Sequence, residues 1–163
     1  MKPRIALIAL ILITLIGGYF WHSNQPRQKI RQTVDQFIEA VEYDSTKLRK
    51  REDVHEAVKS STADTVSLKV SELPFDLEVP RKMAFESLCS RLDLLHSMTS
   101  EREFETLEEE IQLIGNKAQL TRISKITMAM PLREQKAESW ELVFDLELKE
   151  KWKITAIRAR RHQ

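Results

Sequence analysis

From Trp140 to Leu148 every second residue is apolar: Trp140, Leu142, Phe144, Leu146 and Leu148 share one parity. Glu141, Asp145 and Glu147, with Val143, hold the other. Successive side chains of a strand point to opposite faces, so this stretch reads as a β-strand with one face on a core and one toward solvent. A tight turn at 149–151 leads into Trp152, Ile154 and Ala156, and the chain then runs out through Arg158, Arg160 and Arg161. Upstream, Ile111 and Leu113 alternate up to a turn at Gly115-Asn116-Lys117, and Ala118 to Met130 follows as a long strand. Its apolar parity slips between Ile123 and Ile126, which predicts a bulge near Ser124-Lys125 and a bent sheet. The last third of the chain is therefore β.

The middle of the chain is mostly helical. Ile30, Val34, Phe37, Ile38 and Val41 form a single stripe at helical period and predict a helix over 28–43. Asp44-Ser45-Thr46 ends it and offers caps for a second helix over about 47–60, poorer in apolar residues and carrying Lys47, Arg49, Lys50 and Arg51. That charge run reads as a solvated face. Val66, Leu68 and Val70 then alternate as a strand, followed by a second arm around Pro74. Pro80 opens a third helix to about Met98, with Ala84, Leu88, Leu92 and Leu95 on its stripe and Phe85, Cys89 and His96 beside it. Ser100 with Glu103 makes a capping-box pattern, which predicts a short helical turn over 100–107.

Before all of this, Ile5 to Trp21 carry no charge. Seventeen residues give about 25 Å of helix, near the lower limit for a bilayer core. Lys2 and Arg4 precede the run, and Tyr19, Phe20 and Trp21 end it as an interfacial belt would. A cleaved signal peptide would have a shorter run and small residues before the cut. The run reads as a retained anchor over 1–21, with a cleaved signal as the alternative. This places the amino terminus in the cytoplasm and the remainder on the extracytoplasmic face of a cell inner membrane. Residues 22–27 read as a polar linker and 28–163 as one domain.

Composition limits what that domain does. All 25 acidic residues and 24 of the 26 Lys and Arg lie beyond residue 21, so the domain is close to neutral, which argues against nucleic acid as a partner. One cysteine cannot form an intramolecular disulfide. Gly115 is the sole glycine after Gly18, so glycine-rich phosphate loops are absent. His22, His55, His96 and His162 show no ligand spacing, and neither a metal nor another cofactor is expected.

Two or three amphipathic helices followed by a long bent antiparallel sheet make an α+β layer architecture. The run Ile111-Gln112-Leu113-Ile114-Gly115-Asn116-Lys117-Ala118-Gln119-Leu120 resembles the strand, glycine turn and strand of the nuclear-transport-factor-2-like superfamily. Trp140 to Phe144 followed by Lys151 to Ile157 resembles its final hairpin. The resemblance spans roughly residues 28–160. It implies the cone-shaped fold shared with ketosteroid isomerase and scytalone dehydratase, here about three helices packed on a bent antiparallel sheet behind an N-terminal transmembrane helix. Members use the pocket at the wide end for catalysis, for binding, or as packing beneath a protein interface.

The candidate pocket residues follow. His96 borders the stripe of the third helix. Trp140, Phe144 and Trp152 are core first and a ligand cage second. Arg158, with Arg160, continues the parity of Trp152, Ile154 and Ala156 and would meet an anion at the pocket mouth; the plainer reading is an exposed strand end. Cys89 and His96 lie about 10.5 Å apart along a helix axis and cannot act as a nucleophile and its base. No carboxylate falls on a pocket-facing position, so a catalytic base is not visible. The sequence favours an anchored, non-catalytic domain that binds a protein partner or itself, with membrane lipid met through the N-terminal helix. The alternative is an isomerase- or dehydratase-like enzyme, or a binder, with a small apolar ligand.

Overall fold

The computed structural model describes residues 24–46, 50–71, 82–130 and 135–162. The expected anchor over 1–21, with Tyr19, Phe20 and Trp21, lies outside the described residues, as does the strand arm around Pro74. Among the described residues no helix is long and apolar enough to cross a membrane.

Helix α1 covers residues 24–41, so residues 24–27, expected as linker, are already helical. Its stripe is buried as the periodicity predicts: Ile30 and Val34 are fully enclosed, with Phe37 and Ile38 nearly so. The helix gives way at Tyr43–Asp44, which form the short strand β1 against the start of the sheet. The Asp44 carboxylate accepts from the Thr46 N–H and hydroxyl, closing the turn. Helix α2 (Arg51–Ser61) starts later than expected, with no side-chain cap at Lys50, and buries Val54 and Val58. Helix α3 (Phe85–Met98) buries Leu88, Cys89 and Leu92. It begins five residues after Pro80 because Met83–Ala84 form β3, bridged to β2 (Thr62–Val70).

Four long strands follow: β4 (Glu101–Ile114), β5 (Lys117–Ala129), β6 (Lys136–Leu148) and β7 (Trp152–Arg161). The seven strands run β1-β4-β5-β6-β7-β2-β3 across one curled sheet. The α+β cone expected from the sequence is present, with one correction: the sheet is mixed, because β2 pairs parallel to β7. The helical turn expected over 100–107 is also corrected. Glu101 to Thr106 pair in register with Ala129 to Ser124, and this ladder prevails over a local cap preference.

The bend is real, but its origin differs from the expectation. β5 keeps strict alternation from Lys117 to Lys125: Ala118, Leu120, Arg122 and Ser124 all face inward and are buried. The apparent slip arises because two inward positions are polar. The extra residue is Leu107 on β4, between Thr106 opposite Ser124 and Glu108 opposite Ile123. A second bulge falls at Thr155 on β7, where Asp145 faces Ala156 and Leu146 faces Ile154.

Inside the cone, α1 lies over the inner face of β4 to β6. Phe37 meets Phe144 edge to face, with centroids 6.2 Å apart. Farther along, Arg122 bonds Glu109 at 2.5 Å and Asp35 at 2.8 Å, and Arg31 reaches Glu109 at 2.5 Å. Burial opposes ionisation of Glu109, but the hydrogen bonds and charges of Arg122 and Arg31 outweigh it and hold its carboxyl below the usual glutamate range.

Candidate functional site

An open concavity lies beside the cone, where α2, the start of α3 and the β6–β7 turn converge. It has a volume of about 660 Å³. Helix α2 presents Glu52, His55, Glu56 and Lys59 along one side, α3 contributes Phe85, and Lys151 and Lys153 enter from the turn and from β7. The spacing of 52, 55, 56 and 59 is that of one helix face, and Val54 and Val58 on the opposite side anchor α2 to the core.

His55 is held by Asp93 of α3. Its Nε2 lies 3.0 Å from Oδ1 and 3.2 Å from Oδ2. Arg51, one helical turn before His55, bonds the same carboxylate at 2.5 Å. Burial would raise the Asp93 pKa, but the hydrogen bonds from His55 and Arg51, followed by their charges, hold it below the ordinary aspartate value. An ionised carboxylate only accepts, so the ring nitrogen facing it is the protonated one. Neutral His55 then carries its lone pair on Nδ1, which has no hydrogen-bond partner among the described residues. A half-buried imidazole with its tautomer fixed by a carboxylate can accept a proton, hold it next to a negative charge and return it.

The basic side of the cleft is anchored by Lys153. Its Nζ donates to the carbonyls of Lys59 and Ser60 at 2.6 and 2.8 Å, closing the last turn of α2. Burial, then the nearby Lys151, pushes the Lys153 pKa below the ordinary lysine value. Among the described residues no group of three His, Cys, Asp or Glu side chains is placed to hold a metal.

Of the residues singled out from the sequence, Phe144 and Trp152 share one hydrophobic core cluster with Trp140 packed against it, and none of the five lines this cleft. Phe144 and Trp152 are core side chains, 1% and 4% exposed. Trp140 is half-buried on the inner face, opposite Ser124 and Arg161. His96 stacks on Tyr43 with centroids 4.8 Å apart, at the far end of α3 from Phe85. Arg158 does not continue the parity of Trp152 and Ile154. The Thr155 bulge turns it to the outer face, where it bonds Asp145 at 2.9 Å.

Polar groups do occur inside the cone. Arg102, 2% exposed, donates Nε and Nη2 to the Val41 carbonyl at the end of α1, and burial pulls its pKa down to about 10. Its Nη1 and the Ser124 hydroxyl have no hydrogen-bond partner among the described residues. Sequence reading missed His55, Asp93 and Arg51 as a unit. The sole local signal was Arg51 and His55 four apart on one helix face; Asp93 arrives through tertiary packing across 38 residues.

Comparison with known proteins identifies the fold. No family model matches the chain, and no curated protein matches it. Solved structures do. A proposed dehydratase of the NTF2-like family from Streptomyces avermitilis superposes with a TM-score of 0.63 at 13% identity, covering 86% of this chain and 99% of that one. A proposed scytalone dehydratase from Novosphingobium aromaticivorans gives 0.64 at 7% identity over 84% of each chain. An NTF2-like protein with a cystatin-like fold from the same genus and species gives 0.62 at 8% identity, covering 88% of this chain and 86% of that one. Identities this low establish the shared fold and no more.

Proposed function

We propose that the domain binds a small organic molecule in the α2–α3–β7 cleft and transfers a proton within it, as an isomerase or dehydratase does. The observation that carries this reading is the His55–Asp93 pair, 3.0 Å apart on the wall of a cleft of about 660 Å³. That volume falls within the roughly 300–1,000 Å³ usual for small-molecule sites. In the proposed reaction, Nδ1 of neutral His55 removes a proton from a carbon beside a carbonyl or carboxyl group. Asp93 stabilises the resulting imidazolium. The proton is then delivered to another carbon, giving isomerisation, or to a departing hydroxyl, giving water and an alkene. His55 is the catalytic residue and Asp93 its positioning residue. Phe85 offers the apolar contact for the ligand's carbon skeleton. Two of the structural neighbours are described as proposed dehydratases, which is compatible with this chemistry.

The test is a screen of 3-hydroxy acids and β,γ-unsaturated acids for formation of the conjugated alkene by ultraviolet absorbance. Wild type should turn over at least one, and His55→Ala should lose that activity. Undiminished turnover by His55→Ala would remove the proposed role.

A second reading is an anchored interaction domain: a single-pass inner-membrane protein, with residues 1–21 in the bilayer and the domain on the periplasmic side. One observation favours a protein contact. Leu113, Ile114 and Leu148 are exposed at the same end of the sheet, Ile114 to 78%. Crosslinking in intact membranes that gave discrete partner bands, lost in Ile114→Glu, would support it. A monomer with no partner would oppose it.

A further inference from the structure

We propose that the basic side of this cleft, formed by Lys59, Lys151 and Lys153, is an oxyanion-recognition subsite that takes a carboxylate or phosphate group of the ligand. The proposal rests on the cleft being the binding site, as argued above, but not on His55 acting as a base.

Three observations combine. First, the three ammonium groups reach one cleft from the end of α2, from the β6–β7 turn and from the start of β7. Among the described residues none of them makes an ion pair, whereas Arg122, Arg158, Arg160 and Arg161 each have a carboxylate within 3.0 Å. Second, Lys153 is held in place. Two of its three N–H bonds go to the Lys59 and Ser60 carbonyls, which leaves one donor for a ligand. Burial, then repulsion by Lys151 and Lys59, lowers its pKa against the opposing pull of Asp64, which fits a site that gains from a bound anion. Third, the cleft has polarity along its length. Glu52 and Glu56 precede Lys59 on the cleft face of α2, with His55 between the two glutamates.

Along that helix His55 and Lys59 are separated by about 6 Å of axial rise. A ligand whose oxyanion is held by the lysines would place a carbon two to four bonds away near the His55 ring. The acidic side would repel a second anionic group, so the ligand carries its negative charge at one end. This describes a short-chain organic acid or phosphate monoester with an apolar or hydroxylated remainder, lying over Phe85.

The test uses the full chain in detergent micelles, titrated with butanoate, butyl phosphate and the neutral control butanamide, with binding read from amide and lysine Nζ NMR shifts. The expected result is that one or both oxyanions, but not butanamide, shift the signals of Lys151 and Lys153. Affinity should fall about tenfold in Lys153→Met, as for loss of a charged hydrogen bond. Because Lys153 also closes α2, Lys151→Met, which removes an exposed side chain with no ion pair, serves as a second variant and should also weaken binding. Butanamide binding as well as butanoate and butyl phosphate, or both lysine variants binding unchanged, would overturn the proposal. Binding with this lysine dependence but without turnover of any screened acid would sustain the subsite and defeat the proton-transfer reading.

Discussion

Replacing Arg122 by leucine removes a guanidinium whose side chain is 7% exposed and which bonds Glu109, itself 14% exposed. Glu109 would keep only Arg31, 54% exposed and reaching in from the surface of α1. Breaking a buried ion pair from one side costs about 3–5 kcal/mol, because it strands the other charge. The surviving Arg31 contact places Arg122→Leu near the lower end, at about 3 kcal/mol. With a urea slope of about 2 kcal/mol/M, the unfolding midpoint should drop by about 1.5 M. Adding Glu109→Met removes the stranded charge, so the double variant should return to within about 1 kcal/mol of wild type. Arg161→Leu is the surface control: its bond to Glu138 joins side chains 54% and 36% exposed and should be worth under about 1 kcal/mol. Tryptophan fluorescence during urea unfolding reads all three. If Arg122→Leu costs no more than Arg161→Leu, Arg122 is not on the inner face and the regular alternation of β5 is wrong. The pH dependence has a fixed sign. The folded pKa of Glu109 lies below its unfolded value, so its contribution is fully present above about pH 4.3 and is lost as pH falls through the folded value. Glu109→Gln should flatten that acid limb.

Other outcomes follow from the same contacts. Phe144→Ala empties the edge-to-face contact with Phe37 in the middle of the core and should cost about 3–5 kcal/mol in urea unfolding. Gly115 sits at φ 60 with nothing within 4 Å of where a β-carbon would stand, so Gly115→Ala should cost about 1–2 kcal/mol from backbone strain alone and Gly115→Asn less. Cys89 is 3% exposed, and burial, followed by the charges of Asp93 and Glu86, pushes its thiol pKa up. It should resist an aromatic disulfide reagent at pH 8 until the chain is unfolded; prompt reaction in the native protein would contradict that burial.

The parts of the fold that were legible in the sequence are those with one fully apolar face. The stripe of α1 and the alternation of β6 each encode a single burial direction, and both elements form there. Misreadings gather where polar residues occupy inward positions or where a bulge resets parity. Arg122 and Ser124 made a regular strand look broken, while the true extra residue, Leu107, sits among glutamates without an apolar rhythm to interrupt. Thr155 carries no local mark of a bulge, yet it sends Arg158 to the outer face. Ser100 and Glu103 satisfy a helix-start pattern that thirteen β4–β5 residue pairs outweigh. Beyond Arg51 and His55 standing one helical turn apart, the His55–Asp93 pairing left no trace in the sequence. Each is one polar residue on an amphipathic helix, and their meeting depends on how α2 and α3 pack.

The proposed role of His55 is to move a proton to and from a bound small molecule. Solvent-deuterium incorporation tests it most directly, because it detects proton removal even where no net product forms. The protein is incubated in D₂O with the screened 3-hydroxy and unsaturated acids, and loss of the proton beside the carboxyl group is followed by ¹H NMR. Exchange is expected by wild type for at least one acid, much slower by Asp93→Asn, and not above background by His55→Ala. Exchange by His55→Ala at the wild-type rate, or no exchange by wild type with any acid, would contradict that role.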